Sequence, residues 1–310
     1  MQALGTPILL SPDETRRALP WPELIAAAGH AFERLPEAPQ RLVLGDDGQD
    51  WVVMPGASPG GLVCKLLRVG HGTTPAGGPT ISGVLLQLDR SGRLVALLDG
   101  ATLTARRTAA IAAYATDLLA RHDANVLALF GAGGLAEAHV EAIATVRPLT
   151  EIRVVGRSPE RLQEFCARMA ARGYEVVATD PATAMRGASI VVTATTAATP
   201  VFADADVAAG THINAMGSYR PERAEIPAET VLRACVVVET RESAWEEAGD
   251  LIQPREAGLI DASHVVAELH EQEKIAGLRA QLPDAVTLFK SVGHVALDLA
   301  ALAVALSSSM

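Results

Sequence analysis

The spacing of hydrophobic residues changes near residue 100. Before that point, apolar runs of strand length are separated by turn-forming clusters, and residues 45–48 and 89–92 have the Asp and Gly content typical of hairpin turns. Two segments ahead of these runs have helical features: one begins at Ser11 with a proline and two acidic residues, and the other spans residues 21–35. The pattern predicts two helices followed by a largely antiparallel sheet.

Beyond residue 100, helices alternate with short buried strands. A long alanine-rich helix is predicted over residues 101–120. Such alternation predicts a parallel sheet with helices on both faces and ligands beyond the carboxyl ends of the strands. The last helix, residues 294–306, is apolar on all faces, which predicts that it packs against another domain or subunit. The predicted strands lie at residues 126–130, 152–155, 175–177, 190–193, 212–217, 234–238 and 286–293.

The turn after the first of these strands has the sequence GAGGLA, residues 131–136, which matches the spacing G-x-G-x-x-A. Gly131 permits a tight turn, Gly133 lets the backbone approach a pyrophosphate, and Ala136 keeps the following helix close to the strand. The free N–H groups at the start of that helix would face the phosphates. A tight structural turn is the alternative, but the strands that flank the turn and helix favour a dinucleotide site.

The end of the second strand bears on which dinucleotide is bound. An NAD site usually has Asp or Glu there, whereas this chain has Gly156, Arg157 and Ser158, with no carboxylate until Glu160. Arg157 can pair with a 2′-phosphate and Ser158 can donate a hydrogen bond to it. The alternative is a solvated Arg157 that only stacks on adenine. The sequence favours NADP(H), with NAD(H) possible.

Composition narrows the class of protein. The chain has 310 residues, of which 49% are hydrophobic, enough for two domains with a substantial core. A net charge of −10 argues against a nucleic-acid surface. Apolar runs of membrane-spanning length and a leader pattern are lacking, which predicts a cytoplasmic protein without a membrane partner. Three scattered cysteines, Cys64, Cys166 and Cys235, suggest neither disulfides nor a zinc site, and no metal is expected.

A set of segments in a fixed order carries a resemblance to a known family. From about Arg41 to the C-terminus, the chain is similar to the ornithine cyclodeaminase/mu-crystallin family. The nucleotide turn alone would fit many families, but the ordered set is specific. The segments are GLVCKLLRV, PTISGVLLQLD, LLDGATLTARRTAA, GAGGLAEAH, VVTATTAATPVF, GTHINAMGSYRPERAEI, EEAGDLI and LFKSVGHVALDLA.

The resemblance implies an α/β protein in which a Rossmann-type doubly wound sheet stands beside an α+β domain for substrate binding and dimerisation. The predicted α+β domain is residues 1–118, completed by residues 286–310, and the Rossmann domain is residues 119–285. The resemblance also implies a homodimer that pairs through the N-terminal sheet domain and acts on a small imino or amino acid.

The family's substrate carboxylate lies among three cations, which match Arg41, Lys65 and Arg107. Two arginines and a lysine that converge on a pocket are costly unless an anion binds there, so the chemistry agrees. A surface salt bridge is the alternative for Arg41, whereas Lys65 lies within an apolar strand and needs a reason to be there. The positions that match the family's cofactor site are Thr80, Arg107, Thr108, Gly133, Gly134, Leu135, Thr195, Asn214, Met216 and Val292. The threonines among them could equally be strand-end caps.

One departure from the family pattern bears on the reaction. Ornithine and lysine cyclodeaminases have a catalytic aspartate where this chain has Tyr219, and a phenol with a pKa near ~10 is a poor acid or base near neutrality. The segment is more similar to the ketimine-reductase branch. The resemblance therefore implies an NAD(P)H-dependent reductase of cyclic ketimines such as Δ1-pyrroline-2-carboxylate or Δ1-piperideine-2-carboxylate, with Lys65 as the catalytic candidate.

Two further hypotheses for the function stay open. One is an amino-acid dehydrogenase of the alanine type, or an ornithine cyclodeaminase that uses another acid. The other is a non-catalytic, NADP-gated ligand-binding protein.

Overall fold

The computed structural model describes residues 6–46, 48–70, 80–281 and 283–308. Asp47, in the predicted turn at 45–48, lies outside them. The chain divides into two compact units, Met1–Arg107 with His294–Met310 and Thr108–Gly293. The predicted domain boundaries after residues 118 and 285, and the role given to each domain, stay predictions. No helix among the described residues is long and apolar enough to cross a membrane.

The first unit is built on a six-stranded sheet in the order β1-β6-β5-β4-β3-β2. Strands β2 to β6 pair with one another in antiparallel fashion, as predicted. The short strand β1, which the pattern did not indicate, pairs in parallel with β6. The elements are β1 (Ile8–Leu10), α1 (Pro12–Arg17), α2 (Trp21–His30), β2 (Leu42–Asp46), β3 (Gln49–Ser58), β4 (Gly61–Gly70), β5 (Ile81–Leu88), β6 (Leu94–Asp99) and the C-terminal helix α11 (Val295–Ser308).

The two faces of this sheet differ in burial. Because successive side chains of a strand point to opposite faces, one face carries the core and also Lys65, while the other carries exposed apolar side chains. The buried face includes Val52, Met54, Val63, Lys65, Leu67, Leu85 and Leu98. The exposed face includes Leu42, Leu44, Trp51, Leu62 and Leu66, each of which is at least 39% exposed.

Helix α11 packs on α2, β3 and β4, and so completes the first unit from the other end of the chain. The approach is close at Gly56, where an added Cβ would lie 2.8 Å from Val295 Cγ2. The buried residues of α11 are almost all apolar and include Leu297, Ala301 and Leu302. The apolar pattern of residues 294–306 predicted a packed helix of this kind, because such a surface is not stable in water.

The second unit has an eight-stranded parallel sheet in the order β13-β12-β14-β11-β10-β7-β8-β9. Helix α3 (Gly100–Leu119) leads into it. The elements are β7 (Val126–Phe130), α4 (Ala136–Val146), β8 (Glu151–Val155), α5 (Pro159–Ala170), β9 (Val176–Ala178), α6 (Pro181–Met185), β10 (Ile190–Thr193), β11 (His212–Ala215), α7 (Ala228–Arg233), β12 (Cys235–Val238), α8 (Arg241–Glu247), α9 (Gly249–Glu256), β13 (Val265–Glu268), α10 (Gln272–Gln281) and β14 (Thr287–Lys290).

This strand order confirms the predicted Rossmann-type doubly wound sheet. The chain runs from β7 outwards through β8 and β9, then returns to the other side of β7 for β10 and β11. The order therefore reverses at β7, and ligands bind beyond the carboxyl ends of the strands at such a point. Helix α9 was not predicted, because Pro254 inside it and the buried Asp250 leave no apolar period to detect.

Candidate active site

The turn between β7 and α4 has the geometry that its spacing predicts. Gly131 has φ +109°, and its N–H donates to the Val155 carbonyl at 2.8 Å. A Cβ at this position would lie 2.5 Å from the Ala194 carbonyl oxygen. Only glycine fits there, because both the backbone conformation and the neighbouring chain exclude a side chain.

The next two glycines face open space. A Cβ on Gly133 or on Gly134 would have no neighbour within 4 Å. Helix α4 begins after Leu135 without a side-chain cap, and Ala136 is buried where the helix starts. Uncapped N–H groups at a helix start, beside backbone with no side chain, are what a pyrophosphate requires. The residues present therefore fit a dinucleotide.

The turn after β8 carries the residues expected at the adenosine end. Arg157 is exposed and has no hydrogen-bond or ion-pair partner in the described part of the chain. Ser158 caps α5 by accepting from the Arg161 N–H at 3.3 Å, and its hydroxyl donates to Glu160 Oε2 at 2.8 Å. Ser158 can donate to a phosphate only after it releases Glu160, whereas Arg157 needs no rearrangement.

A buried carboxylate, which the sequence analysis did not identify, organises the carboxyl edge of the parallel sheet. Glu225 is fully buried and accepts five hydrogen bonds: from Thr193 Oγ1, from the N–H and hydroxyl of Thr195, and from the N–H groups of Gly217 and Ser218. Thr195 in turn lies beside Gly131. Glu225 thus ties the loops after β10 and β11 to each other next to the nucleotide turn.

A second buried carboxylate, Asp250, supports this arrangement. Its Oδ1 accepts from the N–H groups of Glu225 and Ile226, and its Oδ2 lies 2.7 Å from Lys290 Nζ, which also donates to the Ser218 carbonyl. Burial and the Asp250 charge raise the pKa of Glu225, and the Lys290 ammonium group and the Thr195 hydrogen bonds oppose that rise. The positive charge of Lys290 therefore compensates the burial of two neighbouring carboxylates, those of Glu225 and Asp250, away from water.

The other predicted cofactor residues of this unit lie in β11, just after β11 or β14, or on α3. Asn214, in β11, donates to Thr116 Oγ1 at 2.9 Å, and its Oδ1 has no partner among the described residues. Met216 is buried directly after β11, Thr108 is buried in α3, and the Val292 N–H donates to the carboxylate of the buried Glu239. Their contacts with a nucleotide stay predictions.

In the first unit, two of the predicted cations meet on one carboxylate. Lys65 Nζ lies 2.8 Å from Asp298 Oδ1, and Arg107 Nε lies 3.1 Å from the same oxygen. All three side chains are buried. The preceding Arg106 instead contacts the ring of Trp21 and donates to the Leu19 carbonyl, which leaves Arg107 as the arginine of this cluster.

Lys65 has an unusual proton affinity for a lysine. Its pKa is lowered to about 7, chiefly by burial and also by the charges of Arg107 and Arg41, while Asp298 acts in the opposite direction. Near neutral pH both its charged and neutral forms are therefore populated.

Thr80, the remaining predicted residue of this unit, is half-buried just before β5, and its carbonyl accepts from the Gly70 N–H.

The sequence analysis missed Asp298, Glu225, Asp250 and Lys290. The signal for two of them was the same as for Lys65: Asp298 and Lys290 are charged residues within the otherwise apolar segments VALDLA and LFKSV. Glu225 and Asp250 lie in polar segments and had no such signal. Among the described residues, no group of three or more His, Cys, Asp or Glu side chains could hold a metal ion.

Comparison with known proteins agrees with this architecture. The Δ1-pyrroline-2-carboxylate reductase of Bacillus cereus is 34% identical over 306 residues, which cover 94% of this chain and 93% of that protein. The Thermococcus litoralis Δ1-pyrroline-2-carboxylate reductase, solved with NADH and L-proline, superposes with a TM-score of 0.90 and 29% identity over 97% of both chains. An archaeal alanine dehydrogenase dimer with bound NAD has a TM-score of 0.86 and 26% identity, over 98% of this chain and 96% of that one.

A parallel sheet with a glycine turn in one unit, and a largely antiparallel sheet with buried cations in the other, define a two-domain oxidoreductase of the dinucleotide-binding class. A sequence model of the ornithine cyclodeaminase/mu-crystallin family matches residues 23–308. The chain belongs to this family.

The open space at Gly133 gives a first prediction. Gly133→Ala is expected to raise the dissociation constant of the nicotinamide nucleotide by about tenfold, because the new methyl group occupies the space that the pyrophosphate needs. Since a Cβ there meets no protein atom within 4 Å, the melting temperature should stay unchanged. Fluorescence titration and thermal unfolding check the two halves.

Gly277→Ala is the matched control, because Gly277 lies in α10 and its added Cβ also meets nothing within 4 Å. It should leave nucleotide affinity unchanged. Equal affinity of the Gly133→Ala variant and the unaltered protein would contradict the assignment of this turn to the pyrophosphate.

Proposed function

We propose that this chain is an NAD(P)H-dependent reductase of cyclic ketimines that converts Δ1-pyrroline-2-carboxylate or Δ1-piperideine-2-carboxylate to L-proline or L-pipecolate. The observation that carries the proposal is the buried pair of cations, Lys65 and Arg107, on one carboxylate in the first unit. These substrates have a carboxylate directly beside the C=N bond, so a group that binds the carboxylate also fixes the position of the imine. The similarity to two Δ1-pyrroline-2-carboxylate reductases supports the same substrate class.

Arg107 and Lys65 have distinct parts in this reaction. The Arg107 guanidinium group binds the substrate carboxylate through paired hydrogen bonds, and the charge of Arg41 adds to the attraction. A nicotinamide nucleotide, which the glycine turn at Gly131 and Gly133 would hold, would supply the hydride for the imine carbon. Lys65, with its pKa of about 7, holds a proton that can pass to the imine nitrogen, directly or through water, near neutral pH.

The two buried carboxylates near Tyr219 are not available as the acid of a cyclodeaminase. That reaction needs a free carboxylate to handle the protons of the departing amine. Tyr219 itself has none, and its side chain packs partly buried against the core of the second unit. Glu225 is occupied by five donors, and Asp250 by two N–H groups and Lys290. The two buried carboxylates next to this loop are therefore occupied by protein donors, while Lys65 and Arg107, the cations that would bind a substrate carboxylate, are retained.

A substrate panel tests the proposed activity. With Δ1-pyrroline-2-carboxylate, we expect loss of NADPH or NADH absorbance at a rate that does not depend on ammonium, because the C=N bond is already formed. Pyruvate with ammonium is the comparison, since an amino-acid dehydrogenase must form its imine from both. Turnover only with pyruvate and ammonium, or nucleotide binding without turnover of any substrate, would contradict the proposal.

The preferred nucleotide is proposed to be NADP(H), because Arg157 is exposed, unpaired among the described residues and next to the strand end where NAD sites have a carboxylate. Arg157→Ser is expected to raise the Michaelis constant for NADPH by about 10- to 100-fold, the effect of one charged hydrogen bond, and to leave that for NADH nearly unchanged. Steady-state kinetics with both nucleotides measure the change.

Arg186→Ser is the control for this experiment, since Arg186 is an exposed arginine of the same unit whose side chain has no partner within the described ranges. Its Michaelis constants should match those of the unaltered protein. If the unaltered protein has equal Michaelis constants for NADPH and NADH, Arg157 does not select the nucleotide.

A homodimer is proposed through the exposed face of the first sheet. Leu42, Leu44, Trp51, Leu62 and Leu66 share that face and form an apolar surface that is costly to leave in water. A second copy of the chain is the occupant we favour, because the similar archaeal alanine dehydrogenase is a dimer.

Trp51→Glu is therefore expected to convert the dimer to a monomer at micromolar concentration, since it places a charge in a dry interface. Leu259→Glu is the control, because Leu259 is equally exposed, at 49%, but lies in the second unit. Light scattering coupled to gel filtration gives the mass of each. A monomeric unaltered protein, or a Trp51→Glu dimer, would contradict this interface.

A further inference from the structure

Asp298 is the carboxylate on which the buried cations of the first unit converge. It is the single charged residue of α11, and its side chain is 0% exposed. Its Oδ1 accepts from Lys65 Nζ and from Arg107 Nε, while Oδ2 has no partner among the described residues. A lone carboxylate in an apolar helix is costly to bury, so its contacts with Lys65 and Arg107 are the reason that it is tolerated.

The packing of α11 fixes where this carboxylate lies. Val295 is three residues before Asp298, so the two side chains share one side of the helix. Val295 contacts the sheet at Gly56, which pairs with Val63 of β4, two residues from Lys65. Because no side chain at Gly56 holds the helix away, Asp298 reaches Lys65 without displacement of either backbone.

The contact with Asp298 also decides how Arg107 is oriented. The carboxylate takes the Nε–H of the guanidinium group, and Nη1 and Nη2 have no partner within the described part of the chain. A guanidinium group held through Nε presents its two terminal nitrogens as a planar fork. That fork matches the two oxygens of a second carboxylate.

The same contact affects the charge of Lys65. Arg107 on α3 and Arg41 ahead of β2 both lower its pKa. On the neighbouring strands, Lys65 is paired with the apolar residues Met54 and Leu85, which carry no charge. Asp298 is the one anion, among the described residues, that raises it. The ammonium form of Lys65 is therefore maintained by this single group against burial and two positive charges.

We propose that Asp298 is a positioning residue for the reduction: through Oδ1 it keeps Lys65 an ammonium group and turns the terminal nitrogens of Arg107 toward the substrate carboxylate. The proposal rests on the proposed function for the identity of the substrate. The contacts themselves involve only this chain, so they can be tested independently of turnover.

The lysine content of the chain makes a direct test practical. It has three lysines, Lys65, Lys274 and Lys290, so protein labelled with 13C at lysine Cε gives three NMR signals to follow with pH. Lys65→Met identifies the Lys65 signal by its loss. In the unaltered protein that signal should titrate with a pKa of about 7. Asp298→Asn removes the charge but keeps the size, and is expected to lower this pKa by at least about one unit.

Kinetics give the second readout. The ammonium form exists below the pKa of Lys65, so kcat/KM for the cyclic imine should fall as pH rises through that value. In Asp298→Asn this fall should begin at least about one pH unit lower, a loss of about tenfold or more above neutrality that diminishes toward acidic pH. The KM for the imine should also rise, because the Arg107 fork is no longer fixed.

Two variants separate this role from a general loss of structure. Asp99→Asn removes a carboxylate of the same unit that accepts from the Thr102 N–H, with no contact to Lys65 or Arg107, and should leave the Lys65 titration and the pH profile unchanged. Asp298→Glu retains the charge, so the Lys65 pKa should stay within about half a unit while KM rises. This variant carries the test if Asp298→Asn does not fold.

An unchanged Lys65 titration in Asp298→Asn, or a loss of activity by the same factor at every pH, would overturn the proposal. So would an Asp298→Glu protein in which the Lys65 pKa falls by a full unit. If the Lys65 titration shifts as expected but the unaltered protein reduces no cyclic imine, the proposed function fails, and the effect of Asp298 on the charge of Lys65 stands without a role in this reduction.

Discussion

The contact of Asp298 with Lys65 and Arg107 is the constraint on which the first unit depends. Three charged side chains lie in an interior that excludes water, and removal of one partner from such a group costs about 3–5 kcal/mol. That cost is a large fraction of the total stability of an ordinary domain, which is about 5–15 kcal/mol. The C-terminal helix and the sheet are therefore held in one register, because any shift would leave buried charges unpaired.

The second unit also buries charged side chains, but it compensates their charges in another way. Glu225 and Asp250 are buried beside the nucleotide turn, where their charges are balanced by N–H groups, threonine hydroxyls and Lys290. This network ties the loops after β10 and β11 to each other at the carboxyl edge of the sheet. In the first unit, by contrast, Arg107 keeps two free nitrogens among the described residues. The network of Glu225 and Asp250 therefore has a supporting role, whereas Arg107 has hydrogen-bond donors left for a ligand.

Much of the fold was predictable because it depends on neighbouring residues. The alternation of apolar runs and helices after residue 100 predicted the doubly wound sheet, and the spacing of Gly131, Gly133 and Ala136 predicted an open turn. Elements with little local pattern were missed: β1 is three residues long, and α9 contains a proline and a buried aspartate. For such elements, tertiary contacts decide the structure and the local sequence gives no signal.

The sequence by itself determined the two kinds of sheet, the open glycine turn and the anomaly of a lysine in an apolar strand. Only the tertiary structure decided what that lysine meets, since Lys65 and Asp298 are 233 residues apart along the chain. It likewise decided that Arg107 joins Lys65 while Arg106 packs on Trp21. The physical reason is that periodicity and turn chemistry act between adjacent residues, whereas charge pairing depends on which segments the folded chain brings together.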